Sequence, residues 1–216
     1  HSSPPPAFTY LRINEFMAKN ETTIADGAGN YSDWVEIFNS SSEPVDIGGC
    51  YMADDHETPH QLPTDRPDLT VIPAGGYVLI WYDDGESTST TDLHIPEKLS
   101  RDNGDAIYLY QPDGLTVIDS YAYTATQEAD ETTGRYPDGT NNWIVFSTPT
   151  PNAQNLPAVS IYDIQYTEAD PADSPFTDGI VMTEGIVTGI NQGEGYYIQS
   201  EAGAWNGIYV YDSGNT

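Results

Sequence analysis

Three short turns hold the side chains in this sequence whose types and spacing could do chemistry. ADDHE brings together Asp54, Asp55 and Glu57, DDGE brings together Asp83, Asp84 and Glu86, and DNGD brings together Asp102, Asn103 and Asp105. Each offers several oxygens in a turn, which is the donor set that a hard cation such as Ca2+ takes. Turns also select Asp, Asn and Gly for backbone reasons alone, so a calcium ligand set and a plain turn both stay open at each place. His56 and His60 stand four apart in DDHETPH, and His94 lies in DLHIP. On a helix the first pair could share a transition metal, but Pro59 and its turn-forming neighbours make the segment a loop, and solvated loop histidines are expected.

Other catalytic patterns are missing from the sequence. It contains no GxSxG elbow, no GxxxxGK[ST] loop, no HExxH and no EF-hand spacing of acids. No motif requires a cofactor, and Ca2+ is the one ion the acidic turns would suit. The remaining resource is aromatic: 16 Tyr and 4 Trp exceed what small cores need. Neighbours such as Tyr196 and Tyr197, or Tyr108 and Tyr110, turn some rings outward. Outward rings can stack on the flat apolar faces of sugars; tyrosines on a sheet surface also arise from cross-strand pairing alone.

Charge bounds the partners. The 216 residues include 34 Asp and Glu against 6 Lys and Arg, a formal net charge of −28. Nucleic-acid affinity depends on cationic side chains that displace counterions, so direct, metal-free binding to nucleic acid is not expected. The acids are spread along the chain, as in a solvated surface kept soluble by its charge. Cys50 is the only cysteine, which excludes an intrachain disulfide and a cysteine-based zinc cluster. No stretch approaches the length of a membrane span. No secretory leader is visible at His1, and HSSPPPA is similar to the stalk that follows a removed leader or a lipid-anchored cysteine. An extracellular or cell-surface place in a bacterium is the expectation.

The elements that would position these groups are strands. Apolar and aromatic runs bounded by Gly, Pro, Asp or Asn recur, and none has helical spacing. Strands are expected at 10–16, 33–39, 45–52, 76–82, 106–111, 115–123 and 142–146, with PDG (112–114) as a hairpin turn in which Gly114 takes positive φ. Seven strands in about 150 residues suit an immunoglobulin-like sandwich. In DWVEIFN, Trp34, Glu36 and Phe38 share one face and Val35, Ile37 and Asn39 the other. Both faces are apolar, so the strand is central, and Glu36 needs backbone donors or a cation, Arg12 or Arg135, to offset its desolvation. STPTPNAQNLPA (147–158) reads as a linker or domain boundary. The last 61 residues contain nine acids and no Lys, Arg, His or Cys.

Five stretches, LRINEFMAKN, DWVEIFNSSSEPVDIGGCYMADD, VIPAGGYVLIW, KLSRDNGDAIYLYQPDG and GRYPDGTNNW, followed by STPTPNAQN, resemble the lamin tail domain of bacteria in the order the family has them. Family members more often carry a tryptophan at Cys50 or Tyr51, a departure that bears on packing. IYDIQYT, VMTEGIVTGI, GYYIQS and GIYVYD look like the first part of an OB-fold-like module attached to secreted bacterial nucleases and hydrolases, with about four strands instead of the five of a full barrel. The expectation is an all-β chain with a tail at 1–9, a sandwich at 10–146, a linker at 147–158 and an incomplete OB-like module at 159–216. An unfinished sheet leaves an edge, which is expected to pair with the first domain or with a second molecule. Function can then be read in three ways. The first is a non-catalytic accessory region that binds a protein or glycan at the cell surface. The second is the N-terminal part of an extracellular nuclease or phosphodiesterase whose catalytic domain lies beyond residue 216, and the third is a carbohydrate-binding module.

Overall fold

The computed structural model describes residues 7–54, 58–124, 126–167, 173–177, 179–191 and 193–211. In chain order its elements are β1 (Leu11–Met17), β2 (Asp33–Asn39), β3 (Val45–Asp46), β4 (Tyr51–Ala53), β5 (His60–Gln61), α1 (Pro67–Thr70), β6 (Val71–Ile72), β7 (Tyr77–Tyr82), β8 (Leu93–Ile95), β9 (Asp105–Tyr110), β10 (Val117–Tyr123), β11 (Thr132–Arg135) and β12 (Trp143–Phe146), then α2 (Ile161–Gln165), β13 (Ile186–Asn191), β14 (Gly195–Gln199) and β15 (Gly207–Tyr211). The chain divides into two compact units, His1–Asn155 and Leu156–Thr216.

The first unit is an immunoglobulin-like sandwich. One sheet has the order β12-β11-β1-β2-β7-β8 and the other β10-β9-β4-β5, with the small pair β3-β6 beside them. β2 is central, as its two apolar faces require. Val35 and Ile37 enter the core between the sheets with Leu11, Ile13, Phe16, Ile80, Tyr82, Ile107 and Leu109. Trp34 turns to the outer face and packs with Met17 and Trp81. The expected strand 45–52 is two strands, because Gly48 and Gly49 turn between them: Cys50 N–H donates to Ile47 C=O at 3.0 Å, and Gly49 has φ 84°. The hairpin between β9 and β10 closes as expected, with Gly114 at φ 67° and Asp113 accepting from the N–H groups of Leu115 and Thr116.

β1 breaks the simple alternation. Its register with β2 shifts between Ile13 and Glu15, a β-bulge that places one extra residue in the strand. Ile13 and Phe16 both face the core as a result, and Glu15 and Met17 turn to the outer side. Without the bulge Phe16 would point away from the ring of Tyr123, on which it stacks at 4.8 Å.

Cys50 is fully buried in the core, where burial pushes its thiol up to about 12, helped by Asp46. Because the thiolate is the reactive form, a thiol reagent at pH 8 should leave native protein unlabelled and label it fully in denaturant. Fast labelling of native protein would show that the core opens there.

The second unit is smaller and less buried. β13, β14 and β15 form an antiparallel sheet in that order, with β15 as an outer strand. IYDIQ, counted toward the expected strands, is the helix α2, because Ser160 caps it by accepting from Asp163 N–H at 3.1 Å. Among the described residues of this unit three strands therefore stand where about four were expected. Among the described hydrophobic residues of this unit, only Ile161 and Ile198 are buried.

Candidate functional site

The outer face of the six-stranded sheet carries the chemistry that is buried in this chain. Glu15 and Glu36 sit opposite each other on β1 and β2, and both are fully buried. Neither meets the arginines expected for Glu36. Arg12 donates to the carbonyls of Leu11 and Thr9, and Arg135 is tied to Asp119 at 2.9 Å and to Ile13 C=O at 2.7 Å, with its guanidinium 4.5 Å over the Trp143 ring. The acids rely on hydrogen bonds instead. Glu15 accepts from Thr132 Oγ1 at 2.5 Å, from Thr150 N–H at 3.1 Å and from Thr150 Oγ1 at 3.1 Å. Glu36 accepts from Asn14 Nδ2 at 3.2 Å and from Asn152 N–H at 2.6 Å. Asp138 completes the group, accepting from Asn14 Nδ2, from Asn155 N–H at 3.0 Å and from Tyr77 Oη at 2.5 Å.

These carboxylates hold residues 150–155 against the sheet. Asn155, fully buried, adds two more ties: its Nδ2 donates to Asn14 C=O at 3.1 Å and to Arg135 C=O at 2.9 Å. The first part of the segment expected as a linker is thus built into the sandwich. Burial raises the pKa of Glu15, against the hydrogen bonds from Thr132 and Thr150. Burial and then the neighbouring Glu15 raise that of Glu36 well above the usual range. Burial of this kind disfavours the charged form, and the oxygens of both groups are engaged in positioning backbone.

Beside this polar patch lies an apolar one. Ile24, Leu79, Trp81, Leu69, Leu93 and Asn152 are among the residues that line an open cleft of about 400 Å³. Asn152 joins the two patches, because Glu36 fixes its backbone and the cleft uses it as wall.

A family model for the lamin tail domain matches residues 4–125. The chain belongs to the lamin tail domain family. No curated protein matches it. The lamin tail domain is a non-enzymatic, immunoglobulin-like interaction module. In this lamin tail domain Thr132, Asp138, Thr150, Asn152 and Asn155 follow the matched span, so more than half of the carboxylate network comes from chain that completes the sandwich after residue 125.

The acidic turns of this lamin tail domain are spent differently. Asp83 Oδ1 accepts from Gly85 N–H at 2.9 Å, and Oδ2 accepts from Ser87 N–H and contacts His94 Nδ1 at 2.8 Å. Asp84 takes positive φ at 58° in the same turn, and Glu86 N–H donates to Asp83 C=O. Asp105 accepts from Ser100 and Ala106 N–H groups, and Asp102 lies 3.5 Å from Arg101. Asp54 follows β4, while Asp55, His56 and Glu57 lie outside the described residues. His60 Nε2 meets Glu97 at 2.5 Å. Among the described residues no group of three or more His, Cys, Asp or Glu is arranged to hold a metal ion. Tyr196 and Tyr197 take opposite faces of β14. Tyr197 is 52% exposed and lies 4.8 Å from Tyr209 on β15.

Of the residues in this network, Glu36 stands out in the sequence, whereas Glu15, Asn14, Asp138 and Asn155 do not. The one signal for Asn14 and Glu15 is the broken alternation in LRINEFM, where apolar residues at 11, 13 and 16 cannot share a face unless the strand bulges.

Proposed function

We propose that this lamin tail domain works as a non-catalytic, protein-binding accessory module of a secreted or surface-attached bacterial protein, in adhesion, targeting or assembly. One observation carries the reading: the buried carboxylates of the outer face are committed to holding the backbone wall of an apolar cleft. A general acid or nucleophile needs a positioned partner and access to substrate, and a carboxylate closed over by its own chain has no such access. The extracellular placement rests on composition, on the Pro-rich opening and on the resemblance of residues 159–216 to modules of secreted hydrolases. Self-association through β15 and calcium at the acidic turns belong to this proposal as dependent details.

A carbohydrate-binding reading has one observation in its favour. Register places Tyr197, Tyr209 and Tyr211 on one face of the second unit's sheet, all at least partly exposed.

The test is an activity and binding panel on the purified chain. Double- and single-stranded DNA, a phosphodiester, an ester and a glycan substrate, each with Ca2+ or Mg2+, should give no turnover, and a glycan array should give no signal lost on Tyr197→Ala. Turnover abolished by changing one acid or histidine would overturn the accessory reading. Saturable glycan binding abolished by Tyr197→Ala would move it to the carbohydrate class.

A further inference from the structure

β7 is covered by a neighbour along only half of its outer edge. β8 pairs with it in parallel at Ile80, Trp81 and Tyr82, and those three residues are buried, whereas Tyr77, Val78 and Leu79 are half-exposed. Asp83 donates its N–H to Ile95 C=O on the β8 side. Backbone groups alternate sides along a paired strand, so Trp81, Leu79 and Tyr77 present theirs to that same edge. Among the described residues no strand flanks Tyr77 or Leu79 there.

The cleft opens at this place and offers apolar wall on both sides of the sheet. Ile24, Leu79 and Trp81 belong to the outer face, and Leu69, Val78 and Leu93 pack with the core. An extended peptide sends alternate side chains to opposite faces, and here both sets would meet hydrocarbon. The surroundings are acidic: Asp92 lines the cleft, and Asp26 follows Ala25 in its wall. Arg66 reaches Thr90 C=O nearby, but its charge is matched by Asp68 at 2.7 Å. A second copy would bring its own acids to this acidic rim, whereas a cationic partner would be steered in.

We propose that the open half of β7 is a strand-addition site for an extended segment of a partner protein, apolar at alternate positions and flanked by lysine or arginine. The proposal rests on the protein-binding reading above and gives it a location and a partner chemistry. Main-chain hydrogen bonds to Tyr77 and Leu79 would supply affinity, and the two walls specificity.

The experiment titrates the full chain, labelled with 15N, with the peptide Lys-Lys-Thr-Val-Thr-Ile-Thr-Val-Lys-Lys. Two controls replace its lysines by aspartates or methylate alternate backbone nitrogens. The amide signals of Tyr77 and Leu79 should shift, and hydrogen exchange at Leu79 should slow by about ten-fold at saturation; both controls should bind about ten-fold more weakly. Unmoved signals at Tyr77 and Leu79, or equal binding by the methylated peptide, would overturn the site. So would signals there that move with protein concentration alone, which would mean a second copy, or with cellohexaose but not the peptide. Binding of the peptide elsewhere on the chain sinks this site and leaves the accessory reading intact, because that reading falls only in the turnover and glycan panel.

Discussion

Asn155→Ala should lower the stability of the first unit by about 2–4 kcal/mol in denaturant unfolding, a loss typical of a broken buried network and far above that of a linker substitution. Asn155 is the last residue of that unit, yet its side chain is fully buried. Its Nδ2 satisfies the carbonyls of Asn14 and Arg135, and its Oδ1 lies 3.0 Å from Thr150 Oγ1. Alanine leaves two buried carbonyls without these donors and a void where the amide stood. Gly134 shows how closely the amide is fitted, since a Cβ there would come within 2.7 Å of Asn155 Nδ2. The matched control is Gln154→Ala at the exposed neighbouring position, which should change stability by less than about 0.5 kcal/mol. Equal effects at 154 and 155 would mean that the segment is a tether after all.

Thermal stability should peak near pH 4.5 and fall toward pH 7.5, the reverse of the usual trend for proteins whose carboxylates are stabilised by ion pairs. Three acids set the upper limb. Glu15 and Glu36 have raised pKa values because of burial, and burial brings Asp33 to about 6 against the pull of Lys98. For each, the folded chain holds a proton that the unfolded chain releases near pH 4. Their contribution is complete below that pH and is lost as pH rises through the folded values. The acid limb has the opposite sign. Hydrogen bonds from Thr22 hold Asp130 at about 2, and at Asp26 burial is overcome by bonds from Ser87 and Asn30, which bring it to about 2. Their stabilisation is present above pH 4 and is lost as pH falls toward 2. A tenfold difference in proton affinity between folded and unfolded chain corresponds to about 1.4 kcal/mol, so Asp33, at about 6 in the folded chain, should account for a fall on the order of 2 kcal/mol from pH 4.5 to 7.5, with Glu15 and Glu36 acting in the same direction. Repulsion within a chain of net charge −28 acts in the same direction, but salt screens exposed charges and hardly reaches buried ones. At 0.5 M NaCl the slope should therefore persist in the native chain and shrink in Glu36→Gln. A stability maximum at pH 7 would contradict the burial of these acids as proton-holding groups.

Much of the sandwich was legible in the sequence because its strands are bounded by strong turn residues. DWVEIFN pointed to β2 and its central place, since two apolar faces leave no side for solvent. PDG pointed to the hairpin, because Asp113 and Gly114 suit a single kind of turn. The bulge in β1 was harder to see, since period two is assumed before a bulge is suspected. It governs the site, because it brings Asn14 and Glu15 to the side of Glu36. That the first part of the linker or domain boundary at 147–158 packs on the sheet is hidden in the sequence for a related reason. Three prolines and no periodicity describe a chain without secondary structure, and such a chain can still be fixed by hydrogen bonds from its own N–H groups to buried acids. In the second unit, IYDIQ carries apolar residues that suit either element, and the cap at Ser160 decides for helix. The acidic turns attracted attention by composition, but Asp83 and Asp105 use their oxygens on nearby N–H groups, as turn residues do.

Three carboxylates anchor residues 150–155, and native-state hydrogen exchange reads those anchors one amide at a time. The N–H groups of Thr150, Asn152 and Asn155 should exchange as slowly as those of β1 and β2, opening only with the whole unit. Exchange at the rate of a free peptide would contradict this, leaving Glu15, Glu36 and Asp138 without the partners on which both the closed sandwich and the cleft wall depend.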